Sequence, residues 1–223
     1  MKRNAASGAF YEAVILVTGK ELRPSGRLVW DVTMVSFQRV KQGKKIVDSR
    51  MSFAEAVSGT AAPLEVLKQL CLLDVCYYAF DGKLHQGQLV ANKRLRGEIE
   101  GIFAMIKDIR FPVARVVPIV HYCWSDATSM ADNNTSAFNY RFVAGTARLS
   151  CHAAGEAIDI NPRQNPVVYA SGTTLPPGAV YVPPALGAFF RGCPALDEFL
   201  SRGWKWGGEF TSVKDYHHFE KPR

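Results

Sequence analysis

The sequence of 223 residues predicts an α+β fold. Short segments with helical periodicity alternate with short strand-like segments, without the regular strand–helix–strand spacing of a parallel α/β sheet. Hydrophobic residues make up 48% of the chain and charged residues 21%, which is typical of a globular protein with its own core. We place a boundary at residue 60, between a β-rich extension of unknown role (1–60) and a main domain (61–223).

Residues 10–60 are rich in β-branched and aromatic residues, which favour β-strands. Three segments carry this composition: "YEAVILVTG" (11–19), "RLVWDVTMVSFQRV" (27–40) and "KKIVDSRMSF" (44–53). In the second segment apolar and polar residues alternate in part, as in a half-buried strand. We therefore predict an appended sheet here, and we find no motif in it.

Two helices and one strand are predicted between residues 63 and 112. The first helix begins at Pro63, a residue suited to the first helical turn, and apolar residues recur in it at helical spacing (Leu64, Leu67, Leu70 and Cys71). The segment "VCYYAFDG" (75–82) is typical of a strand that ends in an Asp-Gly turn. A second helix follows in "NKRLRGEIEGIFAMIKDIRFP" (92–112), where Pro112 ends it. Its apolar face consists of Leu95, Ile99, Ile102, Phe103, Ile106 and Ile109.

The second half of the chain is predicted to be rich in loops. "VARVVPIVHYCW" (113–124) resembles a core strand, whereas the polar run 125–139 is typical of a loop. Residues 161–184 contain many Pro and Gly residues, and we expect them to be mostly loop. A short helix is predicted in "ALDEFLSRG" (195–203), with Gly203 as its C-terminal stop.

The net charge constrains the possible partners. The chain carries a formal charge of +7 and has a pI near 9.2, which favours anionic partners or serves solubility alone. Its Lys and Arg residues are scattered outside "KQGKK" (41–45) and "NKRLR" (92–96), and neither an RNA-binding motif nor zinc-finger spacing occurs. We therefore expect no nucleic-acid partner. Because no apolar run approaches roughly 20 residues, we also expect no membrane span.

The N-terminus and the cysteines are informative about the cellular compartment in which the protein acts. "MKRNAASGAF" (1–10) is basic and lacks the apolar stretch of about 7–15 residues found in a secretory signal. The sequence therefore indicates either a trimmed chain or export by another route. The five cysteines form no C-x-x-C pair (Cys71, Cys76, Cys123, Cys151 and Cys193). One disulfide is compatible with this spacing, but buried or half-buried free thiols are the favoured interpretation.

Two side chains of the metal-binding type lie in "SCHAAGEAID" (150–159). Zinc in hydrolases usually has three protein ligands and one open position, and His152 and Asp159 can supply two of them. The small residues between them let the backbone pass close to a metal or a substrate. By itself this spacing is weak support, because a surface histidine beside an unrelated aspartate gives the same pattern.

The segment "DYHHFE" (215–220) supplies a third ligand. It contains Asp215, His217, His218 and Glu220. A carboxylate beside a zinc site can take the proton of a water molecule whose pKa the metal has lowered to about 7. A charged tail is the alternative interpretation, but two partial sites of complementary composition favour a zinc-dependent hydrolase.

These motifs resemble a known family. "SCHAAGEAID" fits Ser-x-His-x-x-Gly-x-Ala-x-Asp, and "DYHHFE" fits Asp-x-x-His-Phe-Glu, preceded by the aromatic-glycine run "GWKWGGEF" (203–210). Together with "NNTSAFNYRFVAG" and "IDINPRQNP", they are similar to the zinc D-Ala-D-Ala carboxypeptidases and L-Ala-D-Glu endopeptidases, the VanY-like enzymes of the LAS metallopeptidases. The resemblance covers roughly 63–220. It implies the LAS (hedgehog/D-Ala-D-Ala peptidase-like) fold, a small antiparallel sheet flanked by helices.

The resemblance implies the metal ligands and the base. His152, Asp159 and His218 correspond to the ligands of one Zn²⁺ ion per chain. Asp215 corresponds to the general base that activates water. Many relatives have a glutamate at that position, and the aspartate is typical of the endopeptidase-like branch.

The resemblance also implies substrate-binding residues. Arg141 corresponds to the family's arginine, which binds substrate and stabilises the developing oxyanion, and a planar guanidinium suits either task. A surface salt bridge is the alternative for Arg141 taken alone. Ser136 and Ser150 are further candidates for positioning substrate. Trp206 could line a substrate groove, although core packing is the favoured interpretation for a bare aromatic residue.

Two residues depart from the family pattern. Cys151 stands where relatives often have asparagine; its thiol could compete for zinc, but neighbouring side chains on an extended segment point apart, so we assign it a structural role. His217 stands where a non-ligand is usual, and it could exchange with His218 or donate a proton. The family pattern favours His218, which directly precedes Phe219. Glu220 could orient His218 from outside the ligand shell.

The predicted function is hydrolysis of a peptide bond in peptidoglycan stem peptides that contain D-amino acids, with a D-Ala-D-Ala-type carboxypeptidase as the first choice. One alternative is an L-Ala-D-Glu endopeptidase of the endolysin type. The other is a non-catalytic module that keeps zinc and binds the cell wall. We expect a monomer that acts in the cell envelope, in the periplasm or outside the cell.

Overall fold

The computed structural model describes residues 11–22, 28–39 and 44–222. By its internal contacts the chain divides into two units, Met1–Gly43 and Lys44–Arg223. The observed division follows Gly43 and so lies N-terminal to the boundary expected at residue 60. The reason is that the short strand at 46–47 pairs with a strand of the second unit.

The first unit contains a two-stranded antiparallel sheet. Its strands are β1 (Tyr11–Leu22) and β2 (Leu28–Arg39). They pair along their length with two shifts in register. The strands predicted for 11–19 and 27–40 are therefore confirmed.

The second unit consists of short strands and short helices. Its strands are β3 (Ile46–Val47), β4 (Leu70–Tyr78), β5 (Leu84–Asn92), β6 (Arg115–Val116), β7 (Asn134–Thr135), β8 (Ala157–Asp159), β9 (Val167–Val168), β10 (Thr174–Leu175), β11 (Lys205–Trp206), β12 (Lys214–Asp215) and β13 (His218–Glu220). Its helices are α1 (Phe53–Ala56), α2 (Leu64–Leu67), α3 (Arg96–Asp108), α4 (Asp126–Ala131) and α5 (Pro194–Ser201). The predicted mixture of helices and small sheets is confirmed. None of these helices, in the part of the chain described, has the length and apolar composition needed to cross a membrane.

The hairpin of β4 and β5 forms the scaffold of the second unit. The two strands pair antiparallel from Leu70 opposite Asn92 to Tyr78 opposite Leu84, and β3 adds to β5 in parallel. Helix α3 packs on β4 and on α5, and its buried residues are Ile99, Ile102, Phe103 and Ile106. The strand and the second helix predicted for 75–112 are confirmed. Ile109 is the exception on the predicted face, because it caps the helix and is 43% exposed.

The first predicted helix is shorter than expected. Helix α2 ends at Leu67, and β4 begins at Leu70. Leu70 and Cys71 belong to the strand because they pair with Asn92 and Ala91 of β5. The third strand-like segment, 44–53, is also mostly not a strand, since only β3 pairs there and α1 begins at Phe53.

The predictions for 113–139 were wrong in two places. The expected core strand consists of only Arg115–Val116, followed by a 3₁₀ turn at Ile119–Tyr122. Pro118, which has no N–H to donate, comes between the strand and the turn. The expected loop contains α4, whose N-terminus is capped by the side chain of Ser125 accepting from the backbone N–H of Thr128.

The C-terminal part agrees with the sequence and supplies the sheet that matters for the site. Helix α5 is followed by Gly203 at φ 75°, as predicted for a glycine stop. Within 161–184 only the two-residue strands β9 and β10 interrupt the loops of the described residues. Strands β11, β13 and β8 form a three-stranded antiparallel sheet with β13 at its centre.

Candidate metal centre

The register of β8 and β13 brings Asp159 and His218 together. In this antiparallel pair His218 lies directly opposite Asp159, and Phe219 lies opposite Ile158. Alternating residues of a strand face opposite sides, so His218 and Glu220 share one face and Phe219 faces the other. Phe219 is fully buried, and its ring stacks on that of Phe199 with centroids 3.9 Å apart. Burial of Phe219 therefore holds His218 on the side of Asp159.

His152 reaches the same place from a 3₁₀ turn, Cys151–Ala154. The side chain of Ser150 accepts a hydrogen bond from the backbone N–H of His152 and begins the turn, and Gly155 ends it at φ 65°. The His152 ring contacts the backbone carbonyl of Ala137 through Nδ1 at 2.5 Å. Since a carbonyl can only accept, Nδ1 carries the proton and Nε2 presents a lone pair to the centre.

Three side chains converge. Nε2 of His152 lies 3.1 Å from Oδ2 of Asp159 and 3.2 Å from Nδ1 of His218. That Nδ1 atom lies 3.0 Å from Oδ1 of Asp159. All three residues are buried, and their ligand atoms lie within 4.8 Å of one another.

The three residues fit a zinc ion. Ligands of a tetrahedral zinc at about 2.0–2.1 Å would be separated by about 3.3 Å, close to the spacing seen here. Two imidazoles and one carboxylate are also a donor set that zinc accepts, with one position left open. The sequence prediction that the three residues form one cluster is therefore supported by their geometry.

The charges of the cluster depend on one another. Burial opposes a negative charge on Asp159, but the neighbouring imidazoles of His152 and His217 and the hydrogen bonds within the cluster hold the pKa of its carboxyl well below the usual range. Burial likewise opposes a positive charge on His218, yet hydrogen bonds to Asp159 and Glu220 raise its pKa to about 10. At neutral pH the metal-free cluster therefore holds a proton that a divalent cation would displace.

Asp215 and His217 adjoin the cluster. Asp215 lies on β12, and Nε2 of His217 lies 3.0 Å from its Oδ1. This contact is not aligned as a hydrogen bond, so we treat it as an electrostatic contact. Nε2 of His217 is also 3.9 Å from Oδ2 of Asp159, whereas its Nδ1 contacts the backbone carbonyl of Asn165 at 2.7 Å. His217 thus lies between the predicted base and a predicted ligand.

Arg141 is joined to the centre through its backbone. Its carbonyl accepts a hydrogen bond from the backbone N–H of Ser150, two residues before His152. Its guanidinium forms an ion pair with Asp126 of α4, with Nη2 2.9 Å from Oδ2. The Nε atom of Arg141 is buried without a hydrogen-bond partner. The guanidinium therefore has one buried N–H group, at Nε, that donates to no acceptor among the described residues.

The other candidate residues lie around the cluster. Ser136 and Asp159 exchange two backbone hydrogen bonds of 3.1 and 2.9 Å. Ser150 caps the His152 turn with its hydroxyl. Trp206 is 5% exposed and donates its indole N–H to the carbonyl of Tyr216, which is the arrangement of a core tryptophan.

Comparison with known proteins finds a family match for part of the chain. Residues 144–221 match the model of a family described as D-alanyl-D-alanine carboxypeptidase. The predicted family is confirmed over this segment. No curated protein and no solved structure matches the chain.

The part matched to the carboxypeptidase family contains the whole metal-type cluster and Asp215. Ser136 and Arg141 precede it, and the structure brings them to it through backbone hydrogen bonds to Asp159 and Ser150. Three contributors were missed by sequence reasoning: Asp126 and the carbonyls of Ala137 and Asn165. A backbone carbonyl leaves no signal in a sequence, and Asp126 lies in a segment predicted to be a loop.

Proposed function

We propose that the chain is a zinc-dependent peptidoglycan peptidase that hydrolyses a peptide bond in stem peptides containing D-amino acids, acting as a D-Ala-D-Ala-type carboxypeptidase. One observation carries the proposal: the buried cluster of His152, Asp159 and His218 lies inside the segment matched to the carboxypeptidase family. The LAS fold follows as part of the same proposal. The net charge of +7 suits an anionic cell wall, where we place the protein, in the envelope or outside the cell.

The cluster residues and Asp215 divide the chemistry between them. Zinc held by His152, Asp159 and His218 would supply a Lewis acid that polarises the scissile carbonyl and acidifies water. Asp215 takes the proton of the attacking water and passes it to the leaving amine. Its place beside His217, next to the cluster, supports this role, because the negative charge is close to the centre without being one of its three converging ligands.

Arg141 would bind the negative charge of the substrate. Asp126 holds one side of its guanidinium, and the buried Nε remains a donor for the terminal carboxylate or the oxyanion. Ser136 and Ser150, whose backbones bond to Asp159 and Arg141, are proposed to position the peptide beside it. Trp206 can contribute only through its limited exposed edge, since Tyr216 already accepts its indole N–H.

Replacing the proposed base tests the assignment. We expect Asp215→Ala to retain about one zinc per chain and to lose activity by a factor of about 10²–10⁴ or more, the usual contribution of a general base. Asp197→Ala, which removes an exposed aspartate on α5, is the matched control and should keep both zinc and activity. Zinc content is measured by elemental analysis, and hydrolysis by chromatography of defined muropeptides. Loss of zinc together with activity would mean that Asp215 is a ligand and not the base.

The muropeptide digest also separates the candidate reactions. Release of terminal D-Ala supports the carboxypeptidase. Cleavage next to L-Ala would support the endolysin-type endopeptidase, which the aspartate at position 215 favours by resemblance. Tight zinc binding with no cleavage of any stem peptide would indicate the non-catalytic wall-binding module.

A further inference from the structure

We propose that Glu220 and Cys151 form a positioning pair that fixes the ring of His218 with Nδ1 turned toward the metal centre. The inference rests on the proposed function, because it concerns the zinc site. One carboxylate oxygen, Oε2 of Glu220, lies 3.3 Å from Nε2 of His218 and 3.2 Å from Sγ of Cys151. The carboxylate therefore accepts from the ring and from the thiol at the same atom.

The carboxylate selects one orientation of the ring. A neutral imidazole has one N–H and one lone pair, and a metal ligand must present the lone pair. With Nε2 donating to Glu220, the lone pair of Nδ1 points at Asp159 and His152. The opposite tautomer would place a lone pair against the carboxylate and an N–H against the ion.

The thiol holds the carboxylate in place. The side chain of Glu220 is 24% exposed, so without a second contact it is free to turn toward solvent. Because a carboxylate oxygen can only accept, the thiol of Cys151 is the donor in this 3.2 Å contact, which gives the carboxylate its second partner.

The pair also connects two separate parts of the chain. Cys151 belongs to the turn that carries His152, and Glu220 belongs to the strand that carries His218. Their contact joins residues 69 positions apart in sequence. The contact therefore couples the placement of the two histidine ligands. A contact confined to the turn or to the strand cannot do this.

Zinc affinity measures this coupling without any assay of hydrolysis. We expect Glu220→Gln to weaken zinc binding by about 10- to 100-fold, as for other residues that orient metal ligands. Cys151→Ala should weaken it by about 2- to 10-fold, the effect of one lost hydrogen bond. Cys151→Ser keeps a donor and should stay within about twofold of the unaltered protein. Cys76→Ser, at a half-buried cysteine of β4, is the matched control.

Zinc dissociation constants are measured by competition with a chelator, and the absorption spectrum of the cobalt-substituted protein reports the geometry of the ligands. If the thiol acts through the carboxylate, the double variant C151A/E220Q binds zinc as weakly as E220Q and no more weakly. Circular dichroism of the metal-free proteins checks that each variant folds, and Glu220→Gln by itself tests the positioning of His218 if Cys151→Ala does not fold.

The outcomes are distinguishable. Equal zinc affinity and equal cobalt spectra in C151A, E220Q and C76S would overturn this inference and leave the proposed function standing. Tighter zinc binding by C151A would also overturn it, because the thiol would then be a competitor. Failure of the unaltered protein to bind zinc would overturn the proposed function and the inference together.

Discussion

Replacing Phe219 with alanine should destabilise the second unit by about 3–5 kcal/mol, the usual effect of deleting a buried phenylalanine side chain. Phe219 is 0% exposed and contacts two other aromatic rings, that of Phe199 at 3.9 Å and that of Phe189 at 4.8 Å between centroids. Deletion therefore leaves a cavity between rings that cannot easily close. For a unit of this size, about 2–4 °C are lost per kcal/mol, so the melting temperature should fall by about 6–20 °C.

The assay is urea unfolding of the full chain in the presence of a chelator, followed by fluorescence. Phe142→Ala is the matched control, because Phe142 is 56% exposed and its removal should change stability by no more than about 0.5 kcal/mol. Phe219→Ala should also weaken zinc binding, since the strand that it anchors carries His218. Equal unfolding midpoints for the two variants would refute the view that this ring fixes β13 against the core.

Three further predictions concern protons and backbone. Zinc uptake at pH 7 should release about one proton, because the pKa of His218 in the metal-free protein is about 10; calorimetry in buffers of different ionisation enthalpy measures this, and no release would contradict the assigned charge state. In the metal-free protein the raised pKa of His218 contributes stability that is complete below its ordinary value of 6.5 and lost as pH rises toward about 10. The lowered pKa of Glu220 contributes stability that is complete above its ordinary value of 4.5 and lost as pH falls toward about 2. The urea midpoint should therefore be highest between about pH 4.5 and pH 6.5, and His218→Gln should flatten both sides, because the hydrogen bond from His218 is also the first cause of the lowered pKa of Glu220. Gly155→Ala should destabilise the protein by more than about 1 kcal/mol, because φ is 65° there and a Cβ would lie 2.8 Å from the backbone N of Asn92; an unchanged melting temperature would contradict this.

The local sequence pattern was sufficient to predict those helices whose apolar spacing or C-terminal glycine marks them clearly. Helix α3 was predicted because its buried isoleucines repeat at helical spacing, and α5 because Gly203 ends it. Helix α2 was predicted too long, because Leu70 and Cys71 fit a helix locally but pair with β5 across the hairpin. Pairing with β5 therefore determined the secondary structure of a segment whose local spacing fits either a helix or a strand.

The site was predictable to the extent that it consists of ionisable side chains in recognisable spacings. The convergence of His152, Asp159 and His218 followed from two short motifs. Its supports were not predictable, since the carbonyls of Ala137 and Asn165 act through backbone atoms that every residue possesses. The contact of Cys151 with Glu220 was also missed, because the expected extended conformation would have pointed the thiol away, whereas the chain forms a 3₁₀ turn there.

The distance along the chain between the ligands has a consequence for biosynthesis. His218 is separated by 59 residues from Asp159 and by 66 from His152. A nascent chain that lacks residue 218 offers only two of the three donors of the proposed zinc site. If the cluster holds zinc as proposed, the ion would bind firmly only after β13 has been translated and inserted between β8 and β11, and the proposed hydrolysis would begin only then.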